Sequence, residues 1–236
     1  LPVVVLHDGR EDHRQAGGYV RRTPIPAPLR FLITAGPTRE PIDPVRYIGN
    51  RSSGKMGAAL ATAAIAQGHA VTLILGPVSL PMPADVERVD VETSQQMHDA
   101  VMAHLPSCDV LIMAAAVADY RPKNVSPSKL GRLGNLTLEL EPTTDIVAAA
   151  AQIKSPHQRI VGFSLEHRGD LDRAREKMLR KRLDLMVFNP TETMDADAIE
   201  ATLLTPDGQA EALAASSKTA FAQRLIDRAV ALVGRQ

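Results

Sequence analysis

Phe31 to Gly57 reads FLITAGPTREPIDPVRYIGNRSSGKMG, and this stretch decides the fold. Phe31-Leu32-Ile33 is the apolar run of a buried strand, and Gly36-Pro37 stops it. A helical pattern resumes at Ser52-Ser53, carries Met56, Ala59, Leu60, Ala63 and Ala64, and ends at Gly68, which predicts a helix over about 53–67. Between strand and helix lie roughly twenty residues without apolar periodicity, and connectors that long inside a compact α/β unit are functional or disordered. This one closes on Asn50-Arg51-Ser52-Ser53-Gly54-Lys55, where donor side chains meet the N–H groups of a helix start. Unpaired N–H groups and the positive end of the helix dipole make such a place a seat for phosphate or carboxylate.

Outward from this stretch, short strands alternate with helices, the pattern of a parallel sheet covered on both faces. Strands are expected at 31–35, Ala70 to Leu75, Glu87 to Val91 and Asp109 to Ala115, the last nearly all apolar and therefore central. Thr93 and Gln96 form a capping box for a helix carrying Met97, Val101 and Leu105. Leu136 to Leu140 alternates like an edge or hairpin strand, and Asp145 starts a short Ala-rich helix. A strand at Arg159 to Phe163, a basic helix at Asp170 to Arg182 and a strand at Leu185 to Phe188 follow. Ile199 to Leu204 and Glu211 to Ala214 flank Pro206-Asp207-Gly208 as a hairpin, and an amphipathic helix from about Thr219 buries Phe221, Leu225, Ala229 and Leu232. The fold class is α/β: a Rossmann-like, doubly wound, mostly parallel sheet with an added antiparallel hairpin. Residues 1–29, with Gly17-Gly18 and a Pro-rich run to Pro28, read as a linker or N-terminal arm, leaving 30–236 as one domain.

Composition limits the function. With 44% apolar and 23% charged residues, the chain is an ordinary globular one. Lys+Arg 27 balances Asp+Glu 27, so no global field draws it to nucleic acid or an anionic membrane. Aromatic content of 3% without Trp leaves little for stacking single-stranded nucleic acid. No run approaches the roughly 20 apolar residues of a membrane span. Cys108 is the sole cysteine, which excludes an internal disulfide, and its position before an apolar strand makes it a buried spectator of a protein in the reducing cytoplasm. The chain starts without Met, which fits a piece of a longer protein.

In open parallel sheets, ligands bind beyond the carboxyl ends of the strands, so the loops after the 31–35 and 109–115 strands are expected to share a crevice. Asn50 is either a cap or turn residue or an amide gripping a substrate carboxylate; Ser52, Ser53 and Lys55 are either cap residues or partners in anion binding. Asp119 either faces solvent or meets a ribose or metal, and Lys129 alone reads as a surface charge. Lys177 and Lys181 fall on one border of the stripe formed by Leu171, Ala174 and Met178, where they either reach a nucleotide or belong to a solvated basic face. The seven histidines show no metal spacing. A nicotinamide oxidoreductase is disfavoured, because Gly36-Pro37-Thr38-Arg39 stands where G-x-G-x-x-G belongs and Leu75-Gly76 where the ribose-binding acid belongs.

With these residues assembled, the sequence resembles the phosphopantothenate–cysteine ligases, the synthetase half of the bifunctional bacterial coenzyme A enzymes. The resemblance rests on ITAGPTREPIDPVRYIGNRSSGKMG, on AAAVADYRP from Ala114 to Pro122, on Ser126 to Lys129, on Thr144-Asp145-Ile146-Val147, on Val161-Gly162-Phe163 and on Lys177 and Lys181. It implies a ligation in which phosphopantothenate is activated by CTP as an acyl-cytidylate, with loss of pyrophosphate, and L-cysteine then displaces CMP. It implies that Asn50, Ala115 and Ala116 meet the acyl substrate and that Lys129 acts on the phosphates. Ser52, Met113, Ala114, Ala115, Asp119, Lys129, Thr144, Asp145, Ile146, Val147, Phe163, Lys177 and Lys181 would contact the nucleotide. It further implies Mg²⁺, a homodimer with contacts at 136–140 and 199–214, and fusion to or association with a phosphopantothenoylcysteine decarboxylase. Three features depart from the family pattern: a basic run thinned to Lys129-Leu130-Gly131-Arg132, Ser164-Leu165 after Phe163, and Thr144 where proline is common. They leave ATP as the alternative nucleotide, and a non-catalytic nucleotide-binding module as the alternative function.

Overall fold

The computed structural model describes residues 27–132, 134–166, 171–190 and 198–234. The expected arm at 1–29 falls almost wholly outside these residues, as does Asp170.

An eight-stranded sheet runs in the order β12-β11-β10-β9-β6-β1-β4-β5. Its strands are β1 (Arg30–Ala35), β4 (Ala70–Leu75), β5 (Glu87–Asp90), β6 (Val110–Met113), β9 (Arg159–Glu166), β10 (Leu185–Pro190), β11 (Ala198–Leu204) and β12 (Ala210–Ser217). From β5 to β10 every pairing is parallel, whereas β11 and β12 return antiparallel as the expected hairpin. The chain leaves β1 towards β4 and β5, then crosses back to β6, β9 and β10. The strand order therefore reverses between β1 and β6, and a crevice opens there beyond their carboxyl ends.

Alternation along β1 sends Phe31, Ile33 and Ala35 to one face and Leu32 to the other. On the first face they meet α1 (Lys55–Ala66) and α5 (Lys218–Val233), through Leu60, Ala64, Phe221 and Leu225. On the second they meet α2 (Ser94–His104), α3 (Ile146–Ile153) and α4 (Leu171–Arg180), through Met97, Val101, Ile146, Ala174 and Met178. Each large side chain buried in these layers contributes about 1.5–3 kcal/mol of transfer free energy.

The capping box is complete: Gln96 N–H donates to Thr93 Oγ1 and Thr93 N–H to Gln96 Oε1, both at 3.2 Å. Three expectations change. The first helix starts at Lys55 instead of Ser53, because Gly54 turns the chain with φ 75° and no side chain caps it. The strand expected over 136–140 does not form; only Leu140–Pro142 (β8) pairs, with Tyr120–Pro122 (β7). Its alternation had no core to face, since Leu136 and Leu140 are 56% and 43% exposed. The long connector contains a short antiparallel pair of its own, β2 (Arg39–Pro41) and β3 (Tyr47–Gly49).

Candidate functional site

The β1 and β6 loops do share one crevice, and two buried threonines stitch it together. Thr34 Oγ1 accepts the Ala115 N–H at 3.2 Å, and Thr38 Oγ1 accepts the Ala118 N–H at 2.9 Å. Between them the backbones of Gly36–Thr38 and Ala116 pair as if the strands continued. Asn50 is no helix cap. Its Nδ2 donates to the Val117 carbonyl at 2.8 Å, fixing the connector against the loop after β6.

On the α3–α4 side lies a cavity of about 370 Å³, lined by Met113, Ala115, Val117, Ala118, Asp119, Thr143 to Val147, Phe163, Lys177 and Lys181. Most residues expected at the nucleotide thus converge here from four separate segments. Thr143 holds the rim, its Oγ1 donating to the Ala118 carbonyl at 2.6 Å and its N–H to the Asp119 carbonyl at 2.9 Å. Asp145 caps α3 through the Ala148 N–H at 3.1 Å and pairs with Lys181 Nζ at 2.8 Å. Burial pushes the Asp145 carboxyl up, but the Lys181 and Ala148 hydrogen bonds and the charges of Lys181 and Lys177 outweigh it and hold the group below its ordinary range. Lys177 Nζ donates to the buried Ser164 Oγ at 3.3 Å. Two ammonium groups are therefore aimed over a polar cavity by partners within the fold.

A second cavity, of about 180 Å³, lies over the N-terminus of α1 and is lined by Arg51 to Gly57, Ala114, Phe163, Leu165, Asn189, Ile199 and Lys218. Phe163 borders both cavities. The approach of the helix start to the sheet depends on Gly57, where an added Cβ would sit 2.3 Å from Ala35 Cβ. Asn189 Oδ1 is buried here without a hydrogen-bond partner among the described residues. With the α1 dipole and cationic side chains around it, the space suits an anion.

Ser52 and Ala114 line this second cavity and not the α3–α4 one, and Ala116 lines neither. Lys129 also lines neither; it is exposed on a loop docked against the connector. Asn189 and Lys218 went unrecognised in the sequence because they sit at the ends of distant elements with no local motif. Thr34 carried a faint signal, a hydroxyl within an otherwise apolar strand. Among the described residues no group of three or more His, Cys, Asp or Glu side chains could hold a metal ion, and no helix is long and apolar enough to cross a membrane. Cys108 is buried, as expected, and burial pushes its thiol up to about 12.

The family model described as the DNA/pantothenate metabolism flavoprotein C-terminal domain matches residues 27–232. The coenzyme A biosynthesis bifunctional protein CoaBC of Escherichia coli K12 is 44% identical over 210 residues, covering 86% of this chain and 52% of that protein. Its counterpart in Mycobacterium tuberculosis H37Rv is 46% identical over 216 residues, covering 85% and 52%. The chain thus spans about half the length of these relatives. The crystal structure of a CoaBC C-terminal domain superposes with a TM-score of 0.77 at 37% identity, covering 88% of this chain and 97% of that one. A Cab2 mutant in complex with phosphopantothenate-cysteine superposes with a TM-score of 0.73 at 18% identity, covering 87% and 88%, and shares the fold. By the span of the family match and the identity to these relatives, the chain belongs to the DNA/pantothenate metabolism flavoprotein C-terminal domain family.

Proposed function

We propose that the chain is a phosphopantothenate–cysteine ligase of coenzyme A biosynthesis, working in the cytoplasm with CTP as co-substrate. The observation that carries this reading is the pair of cavities sharing Phe163, one polar and crossed by two lysines, the other placed over an uncapped helix start. The nucleotide occupies the first and the phosphate end of phosphopantothenate the second. The acid's carboxylate then meets the α-phosphate near Ala114-Ala115 and Asn50.

A carboxylate is a poor acyl donor because its oxygen is a poor leaving group. Attack of that oxygen on the α-phosphorus forms a P–O bond and expels pyrophosphate, giving the acyl-cytidylate. The cysteine amine attacks the acyl carbon, the C–O bond breaks, CMP leaves with that oxygen, and the amine gives up a proton. The protein's share is positioning and charge stabilisation. Lys177 and Lys181 bind the nucleotide, Asn50 holds the acyl group, and Lys129 meets the phosphates as negative charge moves to pyrophosphate. Among the described residues no carboxylate cluster could hold a metal ion, so a Mg²⁺ accompanying the nucleotide would take its ligands mainly from phosphate oxygens and water.

The relatives are bifunctional by name and about twice as long. On that basis the partner activity is read as a phosphopantothenoylcysteine decarboxylase on the same polypeptide or associated with it. Exposed apolar side chains at Leu136 and Leu140 support a homodimer with contacts at 136–140. The test is product release. CTP should yield pyrophosphate only with phosphopantothenate, CMP should further require cysteine, and ATP run alongside should be the poorer nucleotide. Tight nucleotide binding without turnover in the full mixture would make the chain a binding module instead.

A further inference from the structure

Asp43 is a carboxylate with no part in the chemistry above, yet its side chain is wholly buried in a largely exposed connector. One oxygen accepts the N–H groups of Val45 and Arg46, both at 2.8 Å. The other accepts Arg46 Nε at 2.9 Å and Nη2 at 2.5 Å, and also the Leu130 N–H at 3.2 Å. The same Nη2 donates to the Leu130 carbonyl at 2.8 Å. A single ion pair therefore grips both backbone polar groups of residue 130. A second tether, Ser126 N–H to the Ile42 carbonyl at 2.9 Å, holds the other end of the segment. Lys129 lies between the two. A carboxylate that served only its own turn would be satisfied by Val45 and Arg46 and would need nothing from the Lys129 loop.

We propose that Asp43, clipped to Arg46, is a positioning residue for Lys129: it docks the 126–130 segment on the connector that also carries Asn50. This rests on the ligase reading, which alone gives Lys129 phosphates to meet. The Arg46 hydrogen bonds, helped by three backbone N–H groups and opposed by burial, hold the Asp43 carboxyl well below the usual carboxylate range. The clip therefore stays ionised at any neutral pH.

A double-mutant cycle tests it. Asp43→Asn is expected to lower kcat for pyrophosphate release roughly tenfold or more, with the CTP KM little changed, but to cost less than about twofold in a Lys129→Ala background. Equal losses in both backgrounds overturn the proposal, because the carboxylate would then act on the fold or on another group. Hydrogen exchange at the Leu130 amide is the readout independent of activity: it should speed up in Asp43→Asn, and unchanged exchange also overturns the proposal. If Asp43→Asn does not fold, Arg46→Lys, which keeps the charge but not the fork, goes through the same cycle with the same two outcomes. A Lys129→Ala variant that turned over normally would remove instead the role for Lys129 on which the proposal rests.

Discussion

Lys181 and Lys129 are both cations expected at the nucleotide, and the fold treats them in opposite ways. Lys181 is 19% exposed, paired with Asp145 at 2.8 Å, and lines the cavity it would serve. Lys129 is exposed, and only the backbone on either side of it is tied down. A cation that only has to bind can be fixed in advance. One that must answer charge appearing during the reaction serves best if it arrives with the substrate, since only interactions stronger in the transition state speed the chemical step. On the proposed ligase reading, Lys181 and Lys177 would serve affinity and Lys129 rate.

The sharpest way to break that division is Lys129→Ala. Loss of one group that stabilises charge in the transition state costs roughly 10²–10³ in kcat, and that is the expected fall, with the CTP KM little changed. Because Lys129 is exposed, the melting temperature should not move. A variant impaired only in KM would erase the distinction. Next in size, Lys181→Ala should weaken CTP binding by about tenfold, the worth of one charge-assisted hydrogen bond, with a smaller effect on kcat. Isothermal titration measures it directly. It should also release Asp145 towards the ordinary carboxylate range, visible as an upward shift of that carboxyl resonance on titration.

Much of this was legible in the sequence because the two periodicities are strong. β4 lies where the alternation put it, and Thr93 and Gln96 make both halves of their box. The residues lining the α3–α4 cavity were legible because most lie at or after strand ends or match a family pattern. Asp43 and Arg46 were not: a buried ion pair inside a turn-rich loop has no period, and its Leu130 partner lies far along the chain. β2 and β3 were hidden for a related reason, as three-residue strands pairing across a tight turn without an apolar run. At 136–140 the pattern misled, since alternation specifies a strand only where one face has something to pack against.

A smaller effect separates backbone from side chain at the second cavity. Gly54 has φ 75°, a conformation that costs an L-residue about 1–2 kcal/mol. Gly54→Ala should lower the unfolding free energy by about that amount in a urea titration. It should also weaken phosphopantothenate binding while leaving CTP binding unchanged. Equal weakening of both ligands would mean the two cavities are not separate seats.

The smallest effect belongs at the far end of the same scale, with a group the fold holds so completely that it takes no part. Cys108 is 4% exposed, its Sγ 3.8 Å from Gln158 Nε2, and burial followed by the nearby Asp109 charge raises its pKa to about 12. Native protein at pH 7.5 should therefore resist iodoacetamide and react only on unfolding, and Cys108→Ala should leave turnover within about twofold. The sign with pH follows from the raised value. The folded state favours the protonated thiol, so its contribution to stability is complete below the unfolded pKa of about 8.5 and declines as pH rises towards about 12. Urea midpoints across that alkaline range should fall less steeply in Cys108→Ala than in the parent. Parallel slopes would mean that the thiol ionises as easily in the fold as in the unfolded chain, and that the end of β6 is more open to water than the packing around Cys108 allows.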